Sequence, residues 1–314
     1  MKIITLPAVD STNRYCELLD LTEVEEFTCY RAVEQTAGIG QRHPSKPDGE
    51  VSSQTEQDGE TFNRAELSSS PSKLEGVAVR PGACVKPAHN PWFSGPAGEN
   101  LAASIILKPL FLPAASQFHL TQAVALALCD LLSTFDLHSS VMVKWPNDIY
   151  VDGKKICGTL ISTRLSAFSS GFSSSPTPTS LTSSTSSTSL TSPSALSTAI
   201  CGIGLNVNQV SFPDWVPAPT SLALLTGHRH DVAALLEALL EACRVRYDQL
   251  RAGRDLTPEY LGRLMNLGVP RRYLYRGDEI TATVTGVDPF GRLLLTAADG
   301  TPLCCNLKEI ALVG

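Results

Sequence analysis

The sequence predicts an α+β protein whose character changes near residue 267, and three observations predict it. Residues 141–161 alternate apolar and polar side chains around an Asp-Gly pair, the pattern of a β-hairpin. Residues 118–132 and 231–250 carry apolar residues at helical spacing. From Leu267 onward, short apolar runs are parted by Arg-Gly-Asp, Asp-Pro-Phe-Gly and Ala-Asp-Gly turns, which suits a small SH3-like barrel of four or five strands. The 314-residue chain is therefore read as two domains, residues 1–266 and 267–314.

Composition bounds the function. A formal charge of −6 gives no reason to expect nucleic acid or an anionic membrane as partner. The opening MKIITLPAVDSTN has no apolar run long enough for a signal peptide or membrane helix. Nine cysteines are scattered without a CxxC pair and the histidines lack HExxH spacing, so reduced thiols in a soluble, cytoplasmic protein are expected rather than zinc or disulfides.

Taken in order, Asp10, Ser11, Thr12 and Asn13 precede a short helical segment at 14–21, with Tyr15, Leu18 and Leu19 at helical spacing; alone they read as an N-cap. Residues 28–33 read as a strand running into Gln35-Thr36-Ala37-Gly38-Ile39-Gly40-Gln41-Arg42-His43. A G-x-G loop after a strand suggests a dinucleotide site only weakly, because the third glycine and the following βαβ unit are missing. Residues 44–90, rich in Ser, Pro, Gly and charge, read as a disordered or loosely packed insertion. Residues 95–98 form a turn and 101–107 a buried strand with Ser104 inside it, while Trp92 suits packing under a loop. The helix at 118–132 is apolar on most faces and should lie against the sheet.

The hairpin carries the chemistry. Val141, Val143 and Trp145 alternate with Met142 and Lys144. Pro146 breaks that strand, and Asp152-Gly153 supplies a two-residue turn before a second strand at 156–161 that contains Gly158. This brings Lys144, Asp148 and Lys155 to one mouth, where two cations and a carboxylate suit an anionic ligand with a metal ion. A solvated lysine turn accounts for the same letters. Residues 166–198, about two-thirds Ser and Thr, read as a second disordered insertion. Residues 199–208 form a strand in which Gly202 and Gly204 imply close backbone approach. The helix at 231–250 has Asp231 as N-cap and Gly253 beyond its end.

With these segments placed, KWPND at 144–148 followed by GKKICG at 153–158 resembles the central motif of the biotin–protein ligases, KWPND and then K-[LI]-[AC]-G. STN at 11–13, QTAGIGQRH at 35–43, WFSGPAGENLAASIILKP at 92–109 and ICGIGLNVN at 200–208 resemble that family's other motifs. Two positions depart from it: Ile39 stands where the family has Arg, and His43 where it has Gly. The resemblance covers 10–43, 91–165 and 199–314, and implies a mixed sheet with flanking helices, related to class II aminoacyl-tRNA synthetases, ahead of the SH3-like domain.

The resemblance also implies a two-step reaction, in which biotin and Mg-ATP give biotinyl-5′-AMP and pyrophosphate, and a carrier lysine then takes the biotin. It implies catalytic roles for Lys155, Asp148 and Arg42, and a tentative Mg2+ contact for Asp148. Biotin falls to Ser11, Thr12, Asn13, Gln35, Gly38, Gly40, Gln41, Arg42, Lys155 and Gly158. ATP and the adenylate fall to Gly40, Gln41, Arg42, Trp92, Asn100, Lys144, Asn147, Lys155 and Asn206. The implied partner is a biotin carboxyl carrier protein of a biotin-dependent carboxylase, with no nucleic acid or membrane, and a monomer or homodimer. With nine residues before Asp10, the expected type lacks an N-terminal helix-turn-helix. Two alternatives stand: a lipoate–protein ligase of the related fold, and a non-catalytic biotin-binding relic.

Overall fold

The computed structural model describes residues 1–39, 91–92, 95–165 and 195–313. Its elements are β1 (Ile3–Val9), α1 (Thr12–Glu17), β2 (Cys29–Gln35), β3 (Gly38–Ile39), β4 (Pro91–Trp92), β5 (Leu101–Leu107) and α2 (Phe118–Leu132). Next come β6 (Val141–Lys144), β7 (Asp148–Val151), β8 (Lys154–Leu165), β9 (Leu196–Leu205), α3 (Leu222–Thr226), α4 (Val232–Arg251) and α5 (Thr257–Arg263). The chain closes with β10 (Pro270–Tyr275), β11 (Asp278–Val287), β12 (Leu293–Ala297), β13 (Pro302–Cys305) and β14 (Ile310–Leu312).

Local chemistry accounts for the main elements. The β7–β8 turn places Asp152 and Gly153 at φ 52° and 69°, the left-handed values that a two-residue hairpin of this type needs. The Asp231 carboxylate accepts the Ala233 and Ala234 amides and so caps α4, as expected. Every residue of β5 is buried, which marks a strand covered on both faces.

Seven strands form a mixed sheet in the order β1-β2-β5-β9-β8-β7-β6, with only β1 and β2 parallel. On its back face Leu101, Ala103, Ile105, Cys201, Ile203, Cys157 and Ile149 pack with Leu120, Val124 and Leu128 of α2 and Leu236 and Leu239 of α4. Burying one such aliphatic side chain contributes about 1.5–3 kcal/mol. On the front, a smaller cluster of Cys16, Leu21, Tyr30, Ile106 and Ile200 seats α1. The last five strands form an antiparallel sheet ordered β13-β12-β11-β10-β14, in keeping with the SH3-like expectation. Tyr273, Val284 and Leu295 of that sheet belong to the same apolar cluster as the back face.

Several expectations need correction. The first helix runs Thr12–Glu17 rather than 14–21, and its N-cap residue, Ser11, makes no side-chain cap bond. Residues 195–198 are not part of a disordered insertion: Leu196 is fully buried and starts β9, held by the ladder to β8. The rest of that insertion and all of 44–90 lie outside the described residues. Strand β1 was not foreseen, because Pro7 interrupts its pattern; as an edge strand it tolerates a proline. Among the described residues, eight cysteines are free thiols, and no helix is long and apolar enough to cross a membrane.

Candidate functional site

The front face is floored by small residues. One row of cross-strand neighbours runs Ala32, Ala102, Gly204, Gly158, Asp148 and Lys144 from β2 to β6. The next runs Tyr30, Ser104, Gly202 and Leu160. Direct cross-strand partners share a face, so these side chains and bare Cα atoms line one trough.

A β-bulge decides what stands at the charged end. Counting from the two-residue turn, Lys155 pairs with Tyr150 and so shares the face of Asp148. Ile156 is then the extra residue, and the register slips so that Gly158, not Cys157, lies opposite Asp148. Cys157 goes to the core, fully buried, and the missing side chain of Gly158 leaves room for its neighbours. A Cβ there would stand 3.2 Å from Asp148 Oδ1 and 3.3 Å from Lys155 Nζ.

Lys155 Nζ lies 2.7 Å from Asp148 Oδ2. Lys144 Nζ sits 5.4 Å from the centroid of the Tyr150 ring, a cation–π contact. Burial pulls the Lys144 ammonium below its ordinary pKa; Asp148 opposes that pull and Lys155 adds to it. Burial, reinforced by the Asp148 charge, pushes the Tyr150 phenol up to about 12. Two ammonium groups against one carboxylate leave the mouth a net cation, the charge an anionic substrate requires. The backbone of Lys155 is clamped, its N–H donating to Ala218 O (2.8 Å) and its carbonyl accepting from Thr220 N–H (2.9 Å).

The second row holds a polar network. Ser104 Oγ lies 2.8 Å from Thr12 Oγ1 and 2.6 Å from Asn13 Oδ1. The Thr12 amide donates to Gln35 Oε1 (3.0 Å), and Asn13 Nδ2 donates to Leu160 O (3.0 Å). A side chain at Gly202 would collide with Asn13, its Cβ only 2.2 Å from Oδ1. Ser11, Thr12 and Asn13 are all buried, so the network is desolvated.

The structure thus brings together Lys144, Asp148, Lys155 and Gly158, and beside them Thr12, Asn13 and Gln35. Asn100 and Asn206 brace neighbouring backbone. Asn100 Oδ1 accepts from Val207 N–H while its Nδ2 reaches Gln209 Oε1, and Asn206 Nδ2 donates to Thr220 O. Asn147 Nδ2 donates to Thr159 O within the hairpin, and its Oδ1 is buried without a partner among the described residues. Gly38 pairs with Trp92 through β3 and β4. Gly40, Gln41, Arg42 and the Trp92 side chain lie outside the described residues. The sequence reading notes Ser104 only as a serine inside the buried LAASIIL strand and gives Tyr150 no role, so neither is assigned to the site from sequence. Among the described residues no group of three or more His, Cys, Asp or Glu side chains is placed to hold a metal ion.

Comparison with known proteins agrees with this architecture. Residues 89–174 match the model of the Biotin/lipoate A/B protein ligase family. A bifunctional ligase/repressor BirA of Bacillus spizizenii is 28% identical over 213 residues, 65% of this chain and 55% of the relative. The chain spans about half the length of the curated relatives it matches. The biotin protein ligase of Aquifex aeolicus, solved in complex with biotin and ATP, superposes with a TM-score of 0.63 at 19% identity, covering 99% of this chain and 98% of that one. That of Leishmania major, in complex with biotinyl-5-AMP, gives 0.51 at 18% identity, covering 97% and 98%. The chain therefore carries a biotin/lipoate A/B protein ligase segment at residues 89–174, set in the fold of the biotin protein ligases.

Proposed function

We propose that this protein is a biotin–protein ligase that makes biotinyl-5′-AMP from biotin and Mg-ATP and transfers the biotin to a lysine of a biotin carboxyl carrier domain. The observation that carries the reading is the Lys155–Asp148 pair, 2.7 Å apart, at the end of a glycine-floored trough whose other row is the Ser104, Thr12 and Asn13 network. A neutral, polar bicyclic ring suits that buried network of hydroxyls and amides, and its carboxylate end suits the cationic mouth.

In the first step a biotin carboxylate oxygen attacks the α-phosphorus of ATP, and the bond to the departing pyrophosphate breaks. Lys155, its backbone clamped on both sides, holds the carboxylate and then the charge that grows on the α-phosphate. Lys144 adds a second cation, and Arg42 is assigned to the phosphate from the loop. Mg2+ carried in by ATP would meet Asp148 and shield phosphate charge. In the second step the carrier lysine's amine attacks the acyl carbon, and the bond to AMP breaks. Asp148 orients that amine and accepts the proton it loses as the amide bond forms. On this reading the protein works in the cytoplasm, and residues 267–314 form an accessory domain whose sheet shares the back-face apolar cluster.

The test is ATP- and Mg-dependent transfer of labelled biotin to a purified carrier domain, with lipoate as competitor, since the family named above covers both acids. Biotin transfer unaffected by lipoate is expected. Preference for lipoate would reassign the substrate. Biotin binding without release of pyrophosphate would make the protein a relic, as Ile39 in place of arginine would then suggest.

A further inference from the structure

Trp145 and Lys144 are neighbours that face opposite ways. Lys144 belongs to the front row, whereas Trp145 packs against the back-face cluster. There its Nε1–H donates to the carbonyl of Gly291 (2.9 Å), which lies in the β11–β12 turn of the C-terminal sheet. Gly291 has φ 83°, and a Cβ on it would stand 2.3 Å from the Phe118 ring. The turn therefore rests directly on Phe118 and Trp145, and only glycine fits there.

The turn is stiff. The Asp288 carboxylate accepts the Phe290 amide (3.0 Å), the Arg292 amide (2.8 Å) and Arg292 Nε (2.6 Å). Two backbone bonds, Asp288 N–H to Arg292 O and Gly291 N–H to Asp288 O, close it. From another side the hydroxyl of Tyr260, a fully buried residue, donates to Pro146 O (2.8 Å). These bonds grip the two residues immediately before Asn147 and Asp148, at the end of β6, a four-residue strand at the margin of the sheet. A cleft of about 290 Å³, lined by Thr121, Asn147, Ile161 and Asn306 among others, opens beside the contact, so packing on that side does not replace it.

We propose that the turn at residues 288–292 is a positioning brace: through the Gly291–Trp145 hydrogen bond it fixes the β6–β7 turn and hence the Asp148 carboxylate against Lys155. Gly291 and Trp145 are positioning residues, on the side of the sheet opposite the trough. The activity readout rests on the ligase reading; the exchange readout below does not.

Gly300, in the next turn of the same sheet, is a matched control. It too has a left-handed φ, 88°, but a Cβ there meets nothing within 4 Å. Gly291→Ala and Gly300→Ala therefore share the backbone strain, and only the first lifts the turn off Trp145. Each variant and Trp145→Phe would be assayed for biotin-dependent pyrophosphate release and for amide hydrogen exchange over residues 143–151.

Misplacement of a reacting group by about 1 Å costs up to about 100-fold, so Gly291→Ala should lower kcat about tenfold or more, with KM for biotin within about threefold. Exchange over 143–151 should accelerate. Trp145→Phe should show the same pattern at about threefold, and Gly300→Ala should match the wild type in both readouts. The brace is refuted if exchange over 143–151 is unchanged in Gly291→Ala, or if Gly300→Ala reproduces its effects. Should Gly291→Ala fail to fold, Trp145→Phe, which adds no atom to the contact, decides by the same exchange measurement. A wild type that releases no pyrophosphate would defeat the ligase reading and leave exchange to judge the brace.

Discussion

The two faces of the seven-stranded sheet come from the same strands but are built of opposite material. On the back, Leu101, Ile105, Ile149 and Ile203 are packed to exclusion of water against α2 and α4. On the front, the cross-strand row of Ala102, Gly204 and Gly158 leaves space, and charge and polar groups stand at its edges. The difference teaches where substitution should cost stability and where it should cost chemistry. Filling is worth most behind the sheet, and emptiness is worth most in front of it.

The largest separation of the two effects is expected from Lys155→Ala. Loss of the cation should lower pyrophosphate release about 1,000-fold, as removal of one charge-stabilising donor does elsewhere. Its side chain is 31% exposed, so the unfolding midpoint should barely move. Near-normal turnover would remove Lys155 from the mechanism. Next in size is the reverse case: Ile105→Ala, on the back, should destabilise by about 2–5 kcal/mol in urea titration while kcat measured well below the melting temperature stays near wild type. A collapse of kcat in a folded Ile105→Ala protein would break the division between the faces.

Gly202→Ala should be intermediate. Its Cβ would lie 2.2 Å from Asn13 Oδ1, and relieving such overpacking costs about 1–3 kcal/mol. Because Asn13 must move, calorimetric biotin affinity should fall more than the melting temperature does; unaltered affinity would detach this network from the ligand. The smallest effect concerns Tyr150. Its phenol is pushed from the ordinary 10 to about 12, first by burial and then by Asp148. A folded-state value above the unfolded one means that the associated stability is complete below pH 10 and is lost as pH rises through about 12. The stability gap between wild type and Tyr150→Phe should therefore change across that window, and a gap independent of pH would place the phenol in water.

Much of this was legible from the letters. The 101–107 strand and the 118–132 helix match β5 and α2 residue for residue, because both rest on local periodicity. Lys144, Asp148 and Lys155 were placed at one mouth because Asp152-Gly153 sets a two-residue turn. The short α3 and α5 and strand β13 gave no comparable signal, since each is only four to seven residues long. The 199 start for β9 came late because Leu196 follows a Ser/Thr-rich run and becomes a strand residue only through its ladder to β8.

By itself the sequence determined what its neighbours along the chain can enforce: the hairpin turn, the capped helix after Asp231, the glycine-bearing strands and the order of motifs. Tertiary structure decided what depends on partners far away in the chain. The parallel pairing of β1 with β2 is one case, and the seating of Ser104 against Thr12 and Asn13, some ninety residues earlier, is another. The bulge at Ile156 and the contact of Gly291 with Trp145 belong here too. Periodicity and turn chemistry are local free energies, whereas register and docking are set by which surfaces exclude water together, and no short window of sequence contains both surfaces.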